Sequence, residues 1–166
     1  MKLKRYLLLL GISCSVQGLT LNHPVPDCQL KTTDHTVTYQ LHKARGQVLY
    51  VDFWASWCTS CLLSFPFMNK LHQDLREQGL EVIAINMDEV SANADEFLQQ
   101  HPAHFRILSD TNEQCAKAFA VKVMPSSYLI DRNGIIRYEH IGFKAGETEN
   151  LRMMVKQLLA EPLTKK

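Results

Sequence analysis

The chain of 166 residues lacks the features that mark many function classes. It has no internal repeat, no low-complexity tract and no linker between domains. Its Lys and Arg residues are scattered and form no basic stripe, which argues against a nucleic-acid interface. No apolar run approaches the roughly 20 residues that a membrane span needs. No second cysteine pair stands ready to complete a zinc site, because Cys28 and Cys115 are isolated. The residue after Cys61 is Leu62, not the His of a haem-attachment motif. No methionine-rich or histidine-rich tract is present, and the seven histidines are dispersed, so they read as surface or satisfied polar groups rather than metal ligands. No cofactor and no metal are expected.

What is present begins with Trp57-Cys58-Thr59-Ser60-Cys61. It follows an apolar run, Val48 to Ala55, that reads as a buried central strand. After it, Leu62, Leu63, Phe65, Phe67, Met68 and Leu71 recur at helical spacing. The cysteines therefore stand where a strand hands over to a helix. The free N–H groups and positive dipole end of a helix stabilise an anion. Here that anion is the Cys58 thiolate, the nucleophile of disulfide exchange. Cys61, one turn on, is placed to close a disulfide with it.

Val51 to Cys61 resembles the active-site segment of the thioredoxin superfamily. Pro66, five residues after Cys61, matches the proline that kinks the active-site helix there. Met124-Pro125, before the strand-like Ser126 to Ile130, matches the family's cis-proline loop; an ordinary trans proline is the competing reading. The resemblance implies an α/β fold: a thioredoxin-like three-layer domain with a central mixed sheet flanked by helices. A hairpin near the N-terminus (Cys28 to Lys31 with Thr36 to Leu41, turning at Asp34-His35) and an inserted helix-strand unit (Ser91 to Leu108) are similar to the TlpA/ResA/CcmG branch of exported thiol-disulfide oxidoreductases. Further elements are expected as strand 80–87, helix 112–119, a hairpin of 126–130 with 135–141 through Asn133-Gly134, and helix 149–159. The active-site helix should run from Ser60 to Gln78 and stop at Gly79.

Roles follow from the resemblance. Cys58 is the solvent-facing attacking thiol and Cys61 the resolving thiol. Asp52 sits among apolar residues, where burial disfavours its charge. That makes it a candidate proton acceptor for Cys61, against the alternative of an exposed aspartate at a strand end. Pro125 and the backbone of Met124 would receive an extended substrate by strand addition. Trp57 would pack beside the site or within the core. A ResA-like pattern often has glutamate at the third position after the second cysteine; this chain has Ser64. Cys28 and Cys115 read either as a structural disulfide or as buried free thiols, and spacing does not decide between them.

The first residues set the compartment. Lys2, Lys4 and Arg5 precede the apolar stretch Tyr6 to Ile12, and the small residues Ser13, Ser15 and Gly18 follow. This is the layout of a secretory signal peptide cut after Gly18, leaving one domain from 19 to 166. Lipidation at Cys14 and an uncleaved anchor are the alternatives. Residues 1–18 hold three of the 18 Lys and Arg and none of the 17 Asp and Glu, so the remainder carries 15 against 17, a net charge of −2. The expectation is a monomeric periplasmic reductase of protein disulfides, apocytochrome c cysteines included, recharged by a membrane electron donor. A Cu(I)-handling or chaperone-like module using the same cysteines is the alternative. A peroxidase is disfavoured because its Thr-x-x-Cys type of site does not match.

Overall fold

The computed structural model of the protein describes residues 21–34 and 36–163. The signal-peptide reading of residues 1–18, with Cys14, falls outside them, as does His35.

Among the described residues, seven strands form one mixed sheet. They are β1 (Leu30–Thr32), β2 (Thr38–Tyr39), β3 (Val48–Trp54), β4 (Leu80–Asn86), β5 (Arg106–Ser109), β6 (Ser126–Ile130) and β7 (Ile136–Ile141). Their order across the sheet is β2-β1-β5-β4-β3-β6-β7. β3, β4 and β5 run parallel, whereas β6 lies antiparallel to β3. Every residue of β3 is buried, Asp52 included, as the near-continuous apolar run around it requires of a strand covered on both faces.

Side chains alternate across a strand, so β3 supplies two cores. Tyr50 and Trp54 join Val82 and Ala84 of β4 beneath α1 (Cys61–Leu75), α2 (Ser91–Gln100) and α4 (Thr148–Ala160). Aromatic rings fix this side: Trp54 lies 4.9 Å from Phe65 of α1 and 4.8 Å from Phe97 of α2, between centroids. Val51 and Phe53 join Ile83, Ile85 and Tyr128 on the opposite face, which Cys115 of α3 (Gln114–Ala118) and Phe119 cover. The result is the three-layer thioredoxin-like arrangement. The inserted α2–β5 unit widens the sheet, and β1 pairs antiparallel with β5 to extend it further.

Several bounds differ from the sequence expectation. The strand read over 36–41 keeps two residues, because Leu41 enters a short 3₁₀ turn, Leu41–Ala44, that buries its side chain. The helix read over 60–78 ends at Leu75 and tightens to 3₁₀ over Arg76–Gln78 before Gly79. Gly79 has φ of +97°, and a Cβ there would meet Arg132 Nη1 at 2.8 Å. That guanidinium bonds the carbonyls of Gly46, Gln78 and Leu159, so glycine is required on two counts. The helix read over 112–119 forms only over Gln114–Ala118. Glu113 is left-handed (φ 52°), so the helix cannot start earlier, and the Asp110 carboxylate accepts the Ala116 N–H at 2.8 Å.

Cys28 and Cys115 are joined by a disulfide across 87 residues. It ties the segment before β1 to α3, within the core on the α3 face of the sheet.

Candidate active site

The site collects at one end of the sheet. β3 ends at Trp54 and β4, parallel to it, ends at Asn86. β6 begins at Ser126 opposite Phe53. The loop carrying Cys58, the turn after Asn86 and the loop ending at Pro125 therefore meet at the same edge.

Cys58 and Cys61 form a disulfide. α1 starts at Cys61, and Cys58 occupies the turn before it. The Cys61 backbone N–H points at Cys58 Sγ (3.3 Å), and Ser60 Oγ lies 3.7 Å from the same sulfur. Such donors stabilise negative charge on sulfur when the pair is reduced. Cys58 is 5% exposed and Cys61 is fully buried. The expectation of a solvent-facing Cys58 is thus corrected. In the disulfide its side chain turns inward toward Cys61 and packs into the core beneath α1. Ser64 is buried, and its hydroxyl donates to the Cys61 carbonyl at 3.0 Å. Pro66 lies inside α1, where it supplies no N–H to the helix.

Asp52 is fully buried. Its place between Tyr50 and Trp54 on β3 puts it on the face beneath α1. Ser127 of β6 sits opposite it, and the Ser127 hydroxyl donates to Asp52 Oδ1 at 2.6 Å. The Tyr50 hydroxyl donates in turn to Ser127 Oγ at 3.0 Å. Among the described residues, the buried Asp52 Oδ2 has no hydrogen-bond partner. Burial pushes the Asp52 carboxyl up to about 7, and the Ser127 bond opposes that rise. A carboxyl poised there can take and return a proton near neutral pH.

The Met124–Pro125 peptide is cis. Pro125 is buried and Met124 is partly exposed. Gly142 N–H donates to the Pro125 carbonyl at 2.8 Å, and Ser126 Oγ donates to the Val123 carbonyl at 2.7 Å. Trp57 is 69% exposed and belongs to the surface, not the core. Leu63 on the first turn of α1 and Val123 beside the cis-proline are exposed apolar residues as well.

Sequence reasoning missed four contributors. Asp88, buried just past β4, accepts the Ser56 N–H (3.0 Å) and the Ser56 hydroxyl (2.9 Å). Asn86 Nδ2 donates to the same carboxylate at 2.7 Å. Together they hold the loop two residues before Cys58. Ser127 and Tyr50 complete the Asp52 network. A polar residue inside an apolar strand was the available signal for Ser127 and Asn86; their partners lie too far along the chain to read. Among the described residues, no group of three or more His, Cys, Asp or Glu side chains is arranged to hold a metal ion.

Comparison with known proteins gives concordant matches. The Redoxin family model matches residues 20–155. The thiol-disulfide oxidoreductase ResA of Geobacillus thermodenitrificans is 32% identical over 99 residues, covering 60% of this chain and 57% of that protein. ResA of Oceanobacillus iheyensis is 32% identical over 114 residues, covering 67% and 59%. The chain thus spans less than two thirds of the length of these curated relatives. Among solved structures, one from Chlorobium tepidum described as a thiol:disulfide interchange protein DsbE superposes with a TM-score of 0.82 at 36% identity, covering 86% of this chain and all of that one.

Proposed function

This chain belongs to the Redoxin family, within the thioredoxin superfamily, and on that premise we propose that it is a thiol-disulfide oxidoreductase that reduces protein disulfides. The observation that carries the proposal is the Cys58–Cys61 pair at the head of α1, on the same side of the sheet as the buried carboxyl of Asp52.

The reaction begins from the dithiol. The Cys58 thiolate attacks one sulfur of the substrate disulfide. That S–S bond breaks, and the other substrate sulfur leaves as a thiolate and takes a proton from solvent. Asp52 Oδ2 then accepts the proton of Cys61. The Cys61 thiolate attacks Cys58 Sγ, the mixed disulfide breaks, and the second substrate sulfur leaves as a thiolate and takes a proton from solvent, to which Asp52 gives up the proton it took. Two electrons have passed to the substrate, and the protein holds the Cys58–Cys61 disulfide. A dithiol donor restores it.

The substrate enters as an extended segment against Met124 and Pro125, where main-chain bonds give affinity without strict sequence choice. Trp57, Leu63 and Val123 give an apolar rim. The likeness to ResA and to the DsbE-type protein supports thiol-disulfide exchange. Its substrates, on this reading, are envelope disulfides, apocytochrome c cysteines among them, with a membrane protein as donor. Residues 1–18 serve as the export signal. Among the described residues, no helix is long and apolar enough to cross a membrane. N-terminal sequencing of the protein from an envelope fraction checks export, with Leu19 as the expected first residue.

Equilibration of the Cys58–Cys61 couple against glutathione or dithiothreitol tests the direction of electron flow. A reductant lies nearer the thioredoxin value of about −270 mV than the strongly oxidising value of about −120 mV. A potential at the oxidising end, with no reduction of insulin, would refute the reading.

A further inference from the structure

Asp52 and Ser127 face each other across the β3–β6 pair, and Tyr50 reaches Ser127 from the same face of β3. A serine hydroxyl has one proton to donate and two lone pairs that accept. Ser127 accepts from Tyr50 at 3.0 Å, so its own proton is committed to Asp52 Oδ1, at 2.6 Å. Burial holds the Tyr50 hydroxyl well above the usual tyrosine range, and the neighbouring Asp52 charge raises it further, so Tyr50 remains a neutral donor. The chain of donation runs one way, from Tyr50 through Ser127 to Asp52. Oδ1 is occupied as an acceptor, which leaves the buried Oδ2 to carry the proton.

We propose that Ser127, oriented by Tyr50, is a positioning residue for proton transfer: it fixes the Asp52 carboxyl, stabilises its ionised form and confines the exchanging proton to Oδ2. The proposal rests on the reading of Asp52 as the proton acceptor for Cys61. It adds which oxygen works and what tunes it.

The surroundings make this network the main control. On its own strand Asp52 has Tyr50. Across β4 it faces Ala84, and across β6 Ser127. The core beneath α1 adds Cys58, Cys61, Phe65 and Met68, and α4 adds Val155 and Leu158. Tyr138 of β7 packs at the margin of this core. The charged groups Lys70 and Asp74 of α1 and Arg152 of α4 bond one another at the outer surface. Burial raises the carboxyl, and the Ser127 bond opposes that rise.

The test uses the full chain with ¹³C-labelled aspartate carboxyls, titrated by NMR, with Asp52→Asn assigning the signal. Ser127→Ala should move the Asp52 midpoint upward by about one pH unit or more, the size of a lost bond to an ionised group. Tyr50→Phe should move it the same way by less, because Ser127 keeps its bond but is no longer held to it. The pH profile for release of a Cys58 mixed disulfide should follow. A one-unit rise lowers the ionised fraction of Asp52 at pH 7 about fivefold. In the Asp52→Asn background, Ser127→Ala should leave that profile where Asp52→Asn put it. An Asp52 midpoint unchanged or lowered by Ser127→Ala overturns the proposal. One unchanged by Tyr50→Phe removes Tyr50 from it. If the midpoint moves in Ser127→Ala yet Asp52→Asn leaves the profile unaltered, the bond stands and the reading of Asp52 as proton acceptor fails instead.

Discussion

The backbone N–H of Ser56 donates to the carboxylate of Asp88 at 3.0 Å, and this bond anchors the loop that carries Cys58 to the end of the neighbouring strand. Three donors converge on that carboxylate: the Ser56 N–H, the Ser56 hydroxyl and the Asn86 amide. Asp88→Ala would leave them unpaired in a largely buried place. The expected cost is about 2 kcal/mol, from the desolvation of donors without partners. Urea denaturation measures it. A loss below about 0.5 kcal/mol would mean that water replaces the carboxylate at no cost and that the loop needs no anchor.

The two active-site cysteines should be separable by trapping. Cys61→Ser keeps the attacking thiol and removes the resolving one, so a mixed disulfide between Cys58 and an oxidised substrate should accumulate. Cys58→Ser should trap nothing. Mass spectrometry of both variants after incubation decides. Equal trapping would show that the buried Cys61 reaches substrate as readily as Cys58, against the order of their burial.

Asp52, the proposed proton acceptor, is expected to couple function to stability through pH. Its folded carboxyl titrates near 7 against an ordinary value of 3.8, with burial as the main cause. Between those values the folded state binds the proton more firmly than the unfolded chain does. Stability from this group is therefore full below about pH 4, declines as pH rises to about 7, and is level above. Asp52→Asn removes the decline. Its advantage over the parent should grow between pH 4 and pH 8 by an amount on the order of 2–4 kcal/mol. Turnover should move the other way, falling roughly 10²-fold at neutral pH and less as Cys61 deprotonates unaided. Denaturation and reduction rate across pH check both. Parallel stability curves for the two forms would contradict the burial account.

Exposure does not distinguish the two disulfides, since Cys28 and Cys58 are each 5% exposed. Their neighbours do. Cys58 sits in the turn that opens α1, with a backbone N–H on its sulfur, whereas Cys28–Cys115 ties the segment before β1 to α3 within the core of the α3 face. Mild dithiothreitol should therefore release two thiols from the native protein and four after denaturation. Cys28→Ser with Cys115→Ser should cost roughly 4 kcal/mol, given the 87-residue loop it opens. Four thiols released without unfolding would show the core bridge to be exchangeable.

The local signals in the sequence were strong where a single element decided its own shape. β6 occupies the bounds expected of it, Ser126–Ile130, and α2 begins at Ser91, where the inserted unit is expected to begin. Cys58, Cys61 and Pro125 stand out by motif, and Asp52 by its apolar neighbours. What could not be read depends on register between distant strands. Nothing local assigns Ser127 to Asp52 rather than to solvent, because a one-residue slip of β6 would send Ser127 to the other face. Asp88 looks like any turn aspartate until β4 is placed beside β3. The partner of Cys28 was undetermined for the same reason. α3 is shorter than the 112–119 its sequence suggests because the left-handed Glu113 and the Asp110 cap answer to the surrounding packing.

Asp52 and Ser127 are separated by 75 residues, and they meet only when β6 has docked along β3. Contacts of such separation form late, after the cost of closing a long loop has been met. A chain emerging during synthesis thus carries Cys58 and Cys61 well before it carries the hydroxyl proposed to tune their proton acceptor. Until β6 arrives, the pair is an ordinary dithiol, open to any oxidant it meets. The proton chemistry proposed for Asp52 is in that sense complete only once β6 has joined the sheet.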